Sequence, residues 1–113
     1  MKQIIEITNE PNQKHTLLLE DKSRVELTLR FMPTQNLWFM TIKYGSFELG
    51  SRTVVNGRNI LRRFKNIISF GIMIESDDKI SPSFIDSFSG GTSRLYLLEK
   101  EEVEAIEENV YDF

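Results

Sequence analysis

The sequence predicts an all-β domain: a small antiparallel β-barrel or sandwich of about seven strands with a short C-terminal helix. Three observations carry this. Apolar and polar residues alternate with a period of two across much of residues 14–55. Turn-forming residues interrupt the alternation at short intervals. Helical spacing is confined to a few residues near position 60 and to the C-terminus.

The elements follow in order. HTLLLE (15–20) is a first strand candidate, and EDKSR (20–24) supplies the polar residues of a hairpin turn. VELTLRF (25–31) alternates at every position, which puts one face on a core and the other toward solvent. MPTQN (32–36) contributes Pro33 and Asn36 to a second turn. In LWFMTIKY (37–44), Trp38, Met40, Ile42 and Tyr44 share one face, while Phe39, Thr41 and Lys43 share the other. Trp38 is expected to be buried with Met40 and Ile42. Gly45 precedes Ser46 where a type II′ hairpin turn needs glycine, and Phe47-Glu48-Leu49 starts the next strand. Residues 14–55 thus read as a four-stranded meander.

The pattern then changes. NGRNILRRFKN (56–66) reads as an irregular crossing or one helical turn, with Gly57 in a conformation that a β-branched residue would strain. IISFGIMIE (67–75) is a more continuously apolar strand, in which Gly71 predicts a bulge or a close backbone approach. Residues 76–91 form a long loop rich in Ser, Asp, Pro and Gly, and TSRLYLLE (92–99) is the last strand. KEEVEAIEE (100–108) has the spacing of a short helix.

At 113 residues the chain is expected to hold one β domain, residues 1–98, followed by an acidic helix or tail, residues 99–113. Charge divides at the same place. Residues 1–98 carry 13 Lys+Arg and 10 Asp+Glu, a net of +3, whereas 99–113 carry seven acidic residues and Lys100, a net of −6. This division suggests electrostatic docking, within the chain or between chains. The apolar run at the N-terminus is broken by Glu6 and predicts neither a membrane span nor an export signal.

Catalytic and metal chemistry find little to work with. There is no cysteine, hence no disulfide and no thiolate metal site. His15 is the one histidine, has no local nucleophile or orienting partner, and reads as an exposed strand-end residue. Asp77, Asp78 and Asp86 lack the spacing of a calcium loop. Gly90-Gly91 precedes a strand rather than a helix, without the lysine of a phosphate loop, and reads as a hairpin-type turn. No cofactor is implied. The candidate partner interface is the basic stretch with Arg58, Arg62, Arg63 and Lys65, together with the 77–91 loop.

Several stretches resemble the small baseplate plug proteins of contractile-tailed bacteriophages. These are the start Asn12-Gln13-Lys14-His15-Thr16-Leu17, the alternating strand Val25 to Arg30, and the aromatic strand Leu37 to Ile42. The Gly-containing crossing Val54 to Leu61 and the set Phe84, Asp86, Gly91, Thr92, Leu95 and Tyr96 complete the match. The resemblance covers residues 4 to about 98. Ser89-Gly90 stands as an insertion relative to its pattern, and the tail from Glu99 lies outside it. It implies a structural virion protein of the tail baseplate without a catalytic site, present in the host cytoplasm during assembly. The implied partners are hub, tube and spike proteins, with a homo-oligomer as a further option and no membrane, and the implied role is to help close the tail lumen.

On this reading the basic stretch faces a protein, and the acidic tail is placed to cover arginines of its own body or of a neighbouring copy. The alternative is an OB-like nucleic-acid binding module that uses the same basic residues with Phe39 as a stacking platform. The overall acidity of the chain argues against that alternative.

Overall fold

Seven strands and one helix build two antiparallel sheets around a shared core, in a computed structural model that describes residues 2–64, 67–77 and 79–111, with side chains to residue 106. The strands are β1 (Lys2–Gln3), β2 (Asn12–Leu18), β3 (Arg24–Met32), β4 (Leu37–Tyr44), β5 (Phe47–Thr53), β6 (Gly71–Ser76) and β7 (Ser93–Leu98), followed by α1 (Lys100–Tyr111). One sheet is the meander β2-β3-β4-β5 and the other has the order β1-β7-β6. The architecture is sandwich-like, not a closed barrel.

The period of two does the work in the meander. Val25, Leu27 and Leu29 of β3 and Trp38, Met40 and Ile42 of β4 are all buried. Register places Leu27 opposite Ile42, Leu29 opposite Met40 and Phe31 opposite Trp38, so like faces meet across the strands. The turns use the chemistry their residues offer. Asp21 Oδ1 accepts the Ser23 N–H at 2.9 Å in the first. Asn36 takes φ 52° in the second, a conformation asparagine tolerates. In the third, Gly45 has φ 58° and Ser46 does not share a positive φ, as a type II′ turn requires.

β5 is longer than its first three residues suggest, and it contains a bulge. Met40 pairs with Arg52 but Ile42 pairs with Leu49, so Gly50 and Ser51 together stand opposite Thr41. Ser51 takes φ 49° there, and its N–H donates to Thr41 Oγ1 at 3.3 Å.

The expected strand over 67–75 is shorter at its start. Ile67 and Ile68 N–H both donate to Phe64 O, a turn that keeps this part of the apolar run out of the sheet. Ile68 and Phe70 still reach the core, while Ile67 is 68% exposed. β6 then runs from Gly71 in unbroken register with β7, pairing Ile72 with Leu97 and Ile74 with Leu95. Gly71 marks a close approach and not a bulge: a Cβ there would lie 2.6 Å from Asn59 Oδ1.

β1 is an addition the period of two could not show, because a two-residue strand has no pattern. It pairs Lys2 with Leu97 and Gln3 with Tyr96. At the start of α1, Glu102 Oε1 accepts the Glu99 N–H at 3.1 Å, one half of a capping box, and Val103 is buried.

Candidate partner interface

The crossing between the sheets begins where Val54 N–H donates to Trp38 O. Asn56-Gly57 bends the chain, but Gly57 does not adopt the positive φ expected of it. Gly57 instead forms an isolated bridge with Ile74, donating to Ile74 O at 3.0 Å and accepting from Ile74 N at 2.9 Å. A Cβ at Gly57 would make ordinary contact with Ile60 at 3.5 Å, so the expected strain is absent.

The same bridge explains the segment's local role. Asn56 Oδ1 accepts from Ser76 N, Asn59 Oδ1 accepts from Ile72 N, and Ile60 N donates to Ile72 O. Residues 56–60 therefore satisfy the outer edge of β6, which a neighbouring strand would otherwise find open. Leu61 is buried and anchors the far end of this cover.

Arg62–Phe64 forms a single 3₁₀ turn, the one helical turn the spacing allowed. Arg62 and Arg63 are exposed on it. Phe64 is half-buried, with its ring edge-on to Phe47 at 5.5 Å. The guanidinium carbons of Arg52 and Arg63 lie 5.8 and 5.7 Å from the Phe64 ring centroid, within cation–π range. Arg52, on β5, is a member of this cluster that a reading along the chain missed, because the bulged strand brings it there from eleven residues before Arg63.

Arg58 lies elsewhere. It borders a groove of about 450 Å³ on the β6 side, together with Met73, Glu75, Asp77 and Arg94. Arg94 bridges Glu75 Oε1 at 2.8 Å and Asp77 Oδ1 at 2.9 Å, and also donates to Gly91 O at 2.9 Å. Asp77 first and Glu75 second hold its guanidinium above the usual arginine pKa. The structure thus separates Arg58 from Arg63 into different grooves. Lys65, the fourth member of the basic stretch, lies outside the described residues, as does Asp78.

The 77–91 loop is tied to the core. Asp77 N donates to Thr92 O across its base, and Gly91 turns into β7 with φ 85°. Trp38, fully buried as expected, donates its indole N–H to Phe84 O at 2.9 Å and meets Phe88 edge-on at 5.7 Å. The loop then presents Ile80, Phe84 and Ile85 outward, Phe84 being 68% exposed.

Phe39 and His15 complete the sequence candidates. Phe39 is half-buried on the outer face of the meander, in register with Arg30. His15 is not an exposed strand-end residue. β2 starts earlier, at Asn12, so His15 sits mid-strand opposite Leu27 and is half-buried. Its Nε2 is 2.7 Å from Gln13 Oε1. Gln13 Nε2 donates to the carbonyls of Thr8 and Glu10, so its oxygen is the acceptor and His15 the donor. Burial lowers the His15 pKa, against a smaller opposing effect of Glu6.

The described start of α1 lies against the β2–β3 turn, where Glu99 Oε1 accepts the Glu20 N–H at 3.3 Å. Among the described residues, no ion pair joins the tail to Arg58 or Arg63.

The sequence model of one family, described as cyanophage baseplate Pam3 plug gp18, matches residues 1–101. The chain belongs to this baseplate plug family. Plug-family membership carries a structural role in the phage tail baseplate, in contact with other baseplate components. The match runs across both sheets and takes in only the first two residues of α1, so most of α1 lies beyond the plug match. No curated protein matches the chain.

Proposed function

We propose that the chain is a non-enzymatic packing element of the baseplate that contacts hub, tube or spike proteins and helps close the tail lumen. The observation that carries this reading is the family match over residues 1–101. On this reading residues 1–98 act as one β unit and the acidic segment from Glu99 is an appendage. Virion localisation follows, preceded by the host cytoplasm during assembly.

The interface proposed is the crossing with Arg58, Arg62 and Arg63, joined by the outward tip of the 77–91 loop. Exposed apolar side chains at Ile80, Phe84 and Ile85 suit burial by a neighbour. The separation of Arg58 from Arg63 supports contact with a protein of mixed surface over a single basic track for nucleic acid.

The test is incorporation. The double substitution Arg62→Glu with Arg63→Glu removes, at Arg63, a cation–π contact worth roughly 0.5–1 kcal/mol at an exposed site. Co-purification with tail baseplates is expected to drop sharply. If the variant incorporates normally, and the parent binds single-stranded DNA in a salt-dependent way that the variant has lost, the nucleic-acid reading replaces this one.

A further inference from the structure

The edge of a sheet exposes a row of N–H and C=O groups that must meet water, a cover or another strand. This fold covers the edge of β6 with its own residues 56–60. It leaves β5 open. Among the described residues, the backbone of β5 bonds to β4 alone, and Ser51 adds only its bond to the Thr41 side chain. The two-residue hairpin pairs Tyr44 with Phe47 and Ile42 with Leu49, turning the peptide groups of Phe47 and Leu49 toward β4. Alternation then turns those of Glu48 outward. Past the bulge, the bond from Val54 N to Trp38 O turns Thr53 outward in the same way.

A groove of about 360 Å³ opens beside this edge. Leu49, Val55 and Ile60 give it apolar walls, and Arg52, Arg63 and Phe64 stand at it. Val55 is 41% exposed there. Among the described residues, no ion pair joins Arg52 or Arg63 to a carboxylate.

We propose that the open edge of β5 takes up an extended acidic segment of a neighbouring baseplate protein as an added strand, its carboxylates held by Arg52 and Arg63. The proposal rests on the baseplate reading above. In strand addition the main chain supplies affinity and the side-chain pockets choose the sequence. Here the groove accepts an apolar side chain, and the two guanidiniums, placed by their contact with Phe64, pair with carboxylates in a fork. A nucleic acid answers the site less fully. Phosphates accept hydrogen bonds but do not donate them, so the outward carbonyls of Glu48 and Thr53 gain nothing from them.

Amide hydrogen exchange on the full chain, alone and in assembled baseplates, reads this edge directly. The amides of Glu48 and Thr53 are expected to exchange freely in the isolated chain and to slow at least about tenfold on assembly. Arg52→Glu with Arg63→Glu is expected to reduce incorporation roughly tenfold or more. Arg30→Glu, on the outer face of the meander, is expected to leave it unchanged. If the double variant misfolds, the exchange measurement on the unaltered chain still decides. A chain that incorporates while Glu48 and Thr53 stay unprotected overturns the proposal and leaves the baseplate reading intact. Protection produced by single-stranded DNA and not by baseplates also overturns it. A chain that never incorporates overturns the baseplate reading, and this proposal with it.

Discussion

Gly71→Ala is expected to destabilise the chain strongly, although glycine in a strand is normally the weaker residue. Replacing a strand glycine with alanine usually gains roughly 0.5–1 kcal/mol from reduced freedom of the unfolded chain. At Gly71 the new methyl group would meet the Asn59 side chain at 2.6 Å from Oδ1 and 2.8 Å from Cγ and Nδ2. Asn59 has no easy retreat, because Oδ1 accepts the N–H of Leu61 at 3.0 Å and of Ile72 at 3.2 Å. Moving it forfeits two hydrogen bonds, worth roughly 0.5–1.5 kcal/mol each, and the residual overpacking adds about 1–3 kcal/mol. Less the entropic gain, the net cost is about 1–5 kcal/mol, or a fall in Tm of roughly 4–20 °C for a domain of this size. Gly57→Ala, whose Cβ would lie 3.5 Å from Ile60, is the contrast and is expected to be neutral or slightly stabilising. Urea unfolding of both variants, and of Gly71→Ala in an Asn59→Ala background, tests the mechanism. In that background Gly71→Ala is expected to cost much less than it does alone. Equal stability of Gly71→Ala and parent, or equal costs in both backgrounds, would refute the reasoning.

Trp38 should show blue-shifted emission that acrylamide quenches poorly, since the indole is fully buried and bonded to Phe84 O; free-indole fluorescence would contradict that placement. The buried hydroxyls of Ser76 and Ser93 meet at 2.8 Å, so either alanine variant alone should lose about 1–3 kcal/mol in chemical denaturation. The double variant should lose less than the two costs added together, and simple additivity would show that they are not coupled. His15 has a lowered pKa from burial, so the unfolded chain binds a proton that the folded chain binds less readily. Its contribution to stability is full above the usual imidazole value of about 6.5 and is lost as pH falls through the folded pKa. His15→Leu should flatten the stability profile below about pH 6.5, and an unchanged slope there would exclude His15 as its source.

The meander was legible because its information is local. Period-two alternation in Val25–Phe31 and Leu37–Tyr44 fixes which side chains are buried, and Gly45 fixes the turn between β4 and β5. Everything that depended on distant pairing was not. β1 is too short to carry a pattern, and its strand character comes from β7 alone. The run Ile67-Ile68 looks like strand, but the turn closed on Phe64 O diverts it. Gly57 departs from its expected role, and which of the two expected roles Gly71 takes could not be read locally, for the same reason. The constraint at Gly71 is Asn59, twelve residues back, and that at Gly57 is Ile74, seventeen residues on, and neither partner is marked in the local sequence. The basic stretch looked like one patch because its residues are adjacent in the chain. Folding sends Arg58 to the β6 groove and sets Arg63 beside Arg52, which no reading of the stretch itself could supply.

The bond from Asp77 N to Thr92 O, with Arg94 gripping Glu75, Asp77 and Gly91 O, brings the two ends of the long loop together at its base. Chain added between those ends need not disturb β6 or β7, and each doubling of a flexible loop's length costs only about 0.6 kcal/mol in closure entropy. The loop is therefore a module whose size and side chains can be changed independently of the sandwich. A graft or reporter placed in it would test how much variation a baseplate neighbour tolerates, with the rest of the protein held constant.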